Sequence, residues 1–203
     1  MTEVAAKPPG YLVLASASPQ RSAILAQLGI PFEVTPADIE ERADGNPQAA
    51  VLGNALRKAR AVAGERVLGA DTTVVLDGQA LGKPVGEEQA EAFLRSLSGR
   101  AHEVLTAVAL LEEGAERCDV AATRVTFRDL SEAEIAWYLE SGEWRERAGG
   151  YAIQGRGAAL VAGIEGDYSN VVGLPVTLLV SLCRDFVTSA TRLPPPGATP
   201  GGR

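Results

Sequence analysis

The chain has 203 residues, 46% of them hydrophobic and 22% charged, with a formal net charge of −7. That length supports a sizeable core. The acidity excludes non-specific attraction to nucleic acid or an anionic membrane surface, so a small anionic ligand needs a local gathering of Lys and Arg. No apolar stretch reaches the about 20 residues of a membrane span, and the N-terminus lacks a signal-peptide layout. Cys118 and Cys183 stand far apart without a CxxC spacing or a neighbouring histidine. They predict inert thiols rather than zinc ligands or a disulfide framework. A cytoplasmic protein, with no nucleic-acid or membrane partner, is the expectation.

Residues 1–10 and the Pro/Gly-rich tail 191–203 read as disordered flanks of a single domain over 11–190. "YLVLA" (11–15) reads as a buried strand. "PQRSAILAQLG" (19–29) reads as a helix with Ser18 as N-cap, Pro19 in its first turn and Gly29 as its stop. A short alternating strand (31–36) and an acidic loop (38–47) precede a helix over 47–64, opened by Pro47 and closed by Gly64. Residues 66–82 read as a strand, an Asp77-Gly78 turn and a return strand. A helix over 87–99 follows, then a long hairpin over 102–127 turning near Glu113-Gly114. Ser131 and Glu134 form a capping-box pattern at the head of a helix over 131–142. The glycine-studded stretch 148–175 predicts two strands and loops, and 176–187 a last helix. Strands that both alternate with helices and pair as hairpins predict an α/β fold with a mixed twisted central sheet.

Three places carry more than scaffold chemistry. In "SASPQR" (16–21), hydroxyls and Arg21 crowd a helix start whose free N–H groups attract anions. In "GADTTVVLDGQALGKP" (69–84), Asp71 follows an apolar strand lead, and a carboxylate so placed needs a metal or a cation. The hairpin is expected to bring Lys83 back towards it. Lys58 lies among basic neighbours on the helix over 47–64, and Glu33, between Phe32 and Val34, faces either solvent or a cleft. His102, the one histidine, has no GxSxG-type context for a nucleophilic triad.

Taken in order, "LASASPQR", "FE" at 32–33, "DIEE" at 38–41, "LRKA" at 56–59, "GADT" at 69–72 and "LGKP" at 81–84 form a specific series. It continues through "LSGRAHEVLTAVAL", "RAGGYAIQGRGAALV" and "IEGDYSNVVGLP". The series resembles the Maf (septum-formation-inhibitor-like) family of nucleoside triphosphate pyrophosphatases over roughly residues 11–187.

The resemblance implies a two-lobed, Maf/ITPase-like fold with a cleft. It also implies hydrolysis of a nucleoside triphosphate to monophosphate and pyrophosphate with a divalent cation, Mg²⁺ or Mn²⁺. By the same resemblance Asp71 is the proton acceptor, and Ser18, Arg21, Lys58 and Lys83 line the triphosphate cleft. Glu33, with Asp71, is metal-associated, and Glu41 is a recurrent acid of unassigned role. Thr72 and Gln154 resemble the dTTP/UTP branch rather than the 7-methyl-GTP branch. The chain departs from the family at Gln20, where an arginine tied to specificity is usual, and at Arg147, where a lysine is usual. The same reaction on a modified purine nucleotide and a non-catalytic, nucleotide-binding regulator of cell division are the alternatives. A homodimer is the family-based expectation.

Overall fold

The computed structural model describes residues 11–43 and 45–183, so the expected disordered termini lie outside the described residues. A seven-stranded mixed sheet organises them, in the order β2-β1-β3-β5-β6-β7 with β4 alongside β3. Its strands are β1 (Leu12–Leu14), β2 (Phe32–Val34), β3 (Arg66–Leu76), β4 (Gln79–Leu81), β5 (Ala101–Glu112), β6 (Ala115–Phe127) and β7 (Val161–Glu165). β1 runs parallel to both β2 and β3, and every other pairing is antiparallel. The helices are α1 (Pro19–Gln27), α2 (Pro47–Arg60), α3 (Glu87–Leu97), α4 (Glu132–Glu140), α5 (Tyr168–Val172) and α6 (Val176–Leu182).

Local chemistry accounts for most of these boundaries. Both hairpins turn on a pair of positive-φ residues, Asp77-Gly78 and Glu113-Gly114, the backbone that matches the twist of paired strands. Asn46 caps α2 by accepting from the N–H groups of Gln48 and Ala49. Ser131 and Glu134 form the expected capping box on α4. The stretch 148–175 departs from expectation, with one strand, β7, where two were predicted. Its first part forms short 3₁₀ turns at 148–150 and 155–160. Positive φ at Gly149, Gly150 and Gly155 breaks the extended run a second strand would need. Cys118 is a partly buried thiol and Cys183 a buried residue of the core. Among the described residues no helix is long and apolar enough to cross a membrane.

Two faces of β3 build different cores. Its odd positions Val67 and Val75 join Ala55 and Ala59 of α2 in one apolar cluster. Its even positions Leu68 and Ala70 pack with Leu14 and Leu25, and Val74 and Leu76 pack with Leu94 and Tyr138. Helix α2 lies directly on β3 at Gly69, where a Cβ would stand 2.2 Å from the Ala55 carbonyl oxygen. That close approach seats the next turn of α2 over the residue that follows Ala70.

His102 belongs to this core and not to a site. It is 3% exposed, its Nε2 lies 2.8 Å from the Tyr151 hydroxyl, and its ring packs edge-on against Phe127 and Tyr151. Burial pushes its pKa down from 6.5 to about 4. Between those pH values the unfolded chain binds a proton that the folded chain refuses, so stability rises with pH across the window. The residue is expected to remove up to about 3 kcal/mol of stability as pH falls from 6.5 to 4. Urea unfolding at a series of pH values checks this: His102→Gln should lack that component, and a parallel slope in both proteins would refute it.

Candidate active site

The site grows from a notch in the sheet. β1 pairs with β3 at Val67 and Leu68, and β4 pairs with it from Val74 onward. On the edge facing β1 and β4, residues 69–73 therefore have no strand partner among the described residues, although β5 pairs along their other edge. A cavity of about 560 Å³ opens there, beyond the carboxyl end of β1. Ligand sites favour this position in open sheets. Strand alternation sends Asp71 towards α2 and Thr72 towards α1.

Asp71 is 6% exposed, and both its oxygens are engaged. Oδ1 accepts from Lys58 Nζ at 2.7 Å, and Oδ2 accepts from Asn54 Nδ2 at 2.7 Å. Lys58 and Asn54 sit four residues apart on the buried stripe of α2 that also carries Val51 and Ala55. Asn54 also donates to the Arg42 carbonyl and accepts from the Arg42 N–H, both at 3.0 Å. Arg57 donates to the Glu40 carbonyl. These bonds staple the acidic loop onto α2 and deliver Glu41, whose Oε1 accepts from Lys58 at 2.7 Å. One ammonium thus holds two carboxylates. Burial alone would raise the Glu41 pKa, but the Lys58 hydrogen bond and the charges of Lys58, Lys83 and Arg21 outweigh it and hold the carboxyl below its ordinary range.

On the other face Arg21 directs three of its five N–H donors at the protein itself. Its Nε donates to the Gly173 carbonyl at 2.8 Å, Nη1 to Ser16 Oγ at 2.8 Å and Nη2 to Thr72 Oγ1 at 3.0 Å. Thr106 donates to the Asn170 carbonyl, which leaves Thr72 as the donor in the 3.0 Å contact between the two threonine hydroxyls. The result is a directed chain from Arg21 through Thr72 and Thr106 to the main chain of α5. Burial lowers the Arg21 pKa, opposed by the charges of Asp71 and Glu41; a guanidinium stays protonated regardless.

Ser18 occupies the N-cap position with Pro19 behind it, but its hydroxyl makes no cap bond. It donates instead to Gln20 Oε1 at 3.2 Å, which leaves the first turn of α1 without a side-chain cap. Gln20 Oε1 also accepts from Arg147 Nη1 at 2.6 Å, so the two positions that depart from the Maf pattern touch each other.

Of the residues singled out in the sequence, Ser18, Gln20, Arg21, Lys58, Asp71, Thr72, Lys83 and Gln154 all line this one cavity. Gln154 is exposed at its rim, heading the turn at 155–160. Glu33 lies apart from them, exposed on β2 and outside the cavity lining. The hairpin returns Lys83 to the cavity that Asp71 lines, but the two form no ion pair. The β3–β4 ladder ends at Leu81, Gly82-Lys83-Pro84 leaves the sheet, and Lys83 lies 3.8 Å from Glu41 and 3.6 Å from Glu146. Lys58 takes its place on Asp71. Asn54 and Glu146 were not anticipated. The signal for Asn54 was a polar residue one helical turn before Lys58 on an otherwise apolar stripe.

The cavity wall carries four basic side chains (Arg21, Lys58, Lys83, Arg147) against three acidic ones (Glu41, Asp71, Glu146), a positive excess on a chain of net charge −7. Residues 11–186 match the family described as "Maf-like protein". The chain belongs to the Maf family. Among its Maf relatives, the dTTP/UTP pyrophosphatase of Symbiobacterium thermophilum is 50% identical over 181 residues, 86% of this chain and 93% of that one. The dTTP/UTP pyrophosphatase of Myxococcus xanthus is 53% identical over 177 residues, 84% and 90% of the two chains. The Staphylococcus aureus Ham1 protein aligns with a TM-score of 0.43 and 15% identity, covering 59% of this Maf chain and 72% of that one.

Proposed function

We propose that this chain is a nucleoside triphosphate pyrophosphatase that hydrolyses dTTP and UTP to the monophosphate and pyrophosphate. The observation that carries the reading is the sign-reversed cleft around Asp71, in a chain about half identical to relatives named for that activity. A triphosphate brings several negative charges, and Lys58, Lys83 and Arg21 supply the positive field it needs.

Asp71 is the proton acceptor in this reading. Each of its oxygens accepts one hydrogen bond, from Lys58 or Asn54, and each carboxylate oxygen has two lone-pair sites. One site on each oxygen thus remains to orient a water and take its proton. Lys58 and Asn54 hold the carboxylate in position.

The donor set fits a hard divalent cation. Asp71 and Glu41 converge on one ammonium, and no group of three or more His, Cys, Asp or Glu side chains suited to a metal occurs among the described residues. Mg²⁺ takes one or two carboxylates and fills its remaining positions with water and phosphate oxygens; Asp71 and Glu41 would supply them, in place of the expected pair Asp71 and Glu33, because Glu33 lies outside the cavity lining. When bound, the cation supplies charge neutralisation at the phosphates.

The test is product analysis with dTTP, UTP, CTP, ATP and GTP in Mg²⁺ or Mn²⁺. Pyrophosphate and monophosphate from dTTP and UTP are expected at the highest kcat/KM. Release of orthophosphate in place of pyrophosphate, or no turnover of any member, would overturn the reading.

A further inference from the structure

Arg147 stands out among the cations of the cleft. Lys58 and Lys83 lie against carboxylates, and Arg21 divides its guanidinium among a carbonyl and two hydroxyls. Arg147 is partly buried and forms no ion pair among the described residues. Its Nη1 donates to Gln20, and its Nε is buried without any hydrogen-bond partner. A buried N–H donor without a partner is costly, and Nε is such a donor. Gln20 Oε1 gathers Arg147 and Ser18 onto one acceptor, which holds the guanidinium against the uncapped start of α1. A neutral amide fixes the direction of this cation without neutralising its charge.

We propose that Arg147 is a phosphate-binding residue of the cleft and that Gln20 is its positioning residue. The guanidinium donates to a non-bridging oxygen of the pyrophosphate portion of the bound nucleotide. The proposal rests on the reading that the cleft takes a nucleoside triphosphate. Its rival is a purely structural tie, in which the bond merely fastens α1 to the turn at 148–150.

Gln20→Glu separates the two. A carboxylate at this position keeps and strengthens the tie, since a charge-assisted bond is stronger than a neutral one, yet it neutralises Arg147. The experiment is calorimetric titration of the full chain with inorganic pyrophosphate and, separately, with UMP, in Mg²⁺. Arg147→Met is expected to weaken pyrophosphate binding by about 10- to 100-fold, the value of a hydrogen bond to a charged group. Gln20→Glu should weaken it in the same direction without lowering the melting temperature, and UMP binding should stay close to wild type in both. Arg147→Lys, which keeps the charge but loses the fork, should fall between.

Pyrophosphate binding unchanged in Arg147→Met, or tightened in Gln20→Glu, overturns the proposal in favour of the tie. A loss confined to UMP overturns it in favour of a contact with the base or sugar. Failure of the wild type to bind pyrophosphate overturns it outright. If the wild type binds pyrophosphate through Arg147 but hydrolyses no triphosphate, the proposed activity fails while this assignment stands.

Discussion

Asp71→Asn is expected to lower kcat for dTTP and UTP by about 10²- to 10⁴-fold, the range that a positioned general base contributes. The amide is nearly isosteric and its one carbonyl oxygen can still accept from Lys58, although its NH₂ then faces the Asn54 donor, and it cannot take a proton from water. KM should change far less than kcat, because the basic side chains that receive the phosphates remain. Steady-state pyrophosphate release, with circular dichroism to confirm the fold, measures this. Activity within a few-fold of wild type would remove Asp71 from the role of proton acceptor.

Lys58→Met is expected to be the most destabilising of the site substitutions. Lys58 and Asp71 each expose 9% of the side chain, and the ammonium spans Asp71 and Glu41 at 2.7 Å. Removing one partner of a buried pair leaves an uncompensated charge and costs about 3–5 kcal/mol. The double variant Asp71→Asn/Lys58→Met should regain much of that loss, because it removes the stranded carboxylate as well. Urea unfolding at neutral pH tests both proteins. A single-variant loss below about 1 kcal/mol, typical of exposed pairs, would show that the pair is not desolvated as its burial indicates. Glu41 gives a second readout: without Lys58 its carboxyl pKa should rise, since the hydrogen bond and nearest charge that hold it down are gone.

How far the sequence reached depended on the range of the interaction. The Asp77-Gly78 and Glu113-Gly114 turns and the Ser131/Glu134 box are short-range chemistry, legible within four residues and present in the structure. Asp71 was legible as a carboxylate in need of a partner. Which cation would serve it was not, because the answer depends on how α2 seats on β3 at Gly69. Counting residues around a hairpin favoured Lys83, whereas packing of a helix against the sheet selected Lys58. The contact between Gln20 and Arg147 spans 127 residues and leaves no local trace. In the glycine-rich stretch 148–175, where two strands are expected, positive-φ glycines fold the first part into tight turns and only β7 is extended.

The uninterrupted ladder between β3 and β5 has a mechanical consequence. It runs from Arg66 opposite Glu112 to Val75 opposite Glu103 without a register shift, passing beneath the notch. Leu68 and Val108 anchor one side of the cleft, Val74 and Val104 the other, and the same two strands carry all four residues. The two sides thus share a floor and are not joined by a hinge. A slide of one side past the other would shear that ladder, so the register of β3 on β5 fixes the spacing across the cleft. The loop carrying Glu41 and the Gly82-Lys83-Pro84 strap both attach to that common floor, one through α2 and the other through β4.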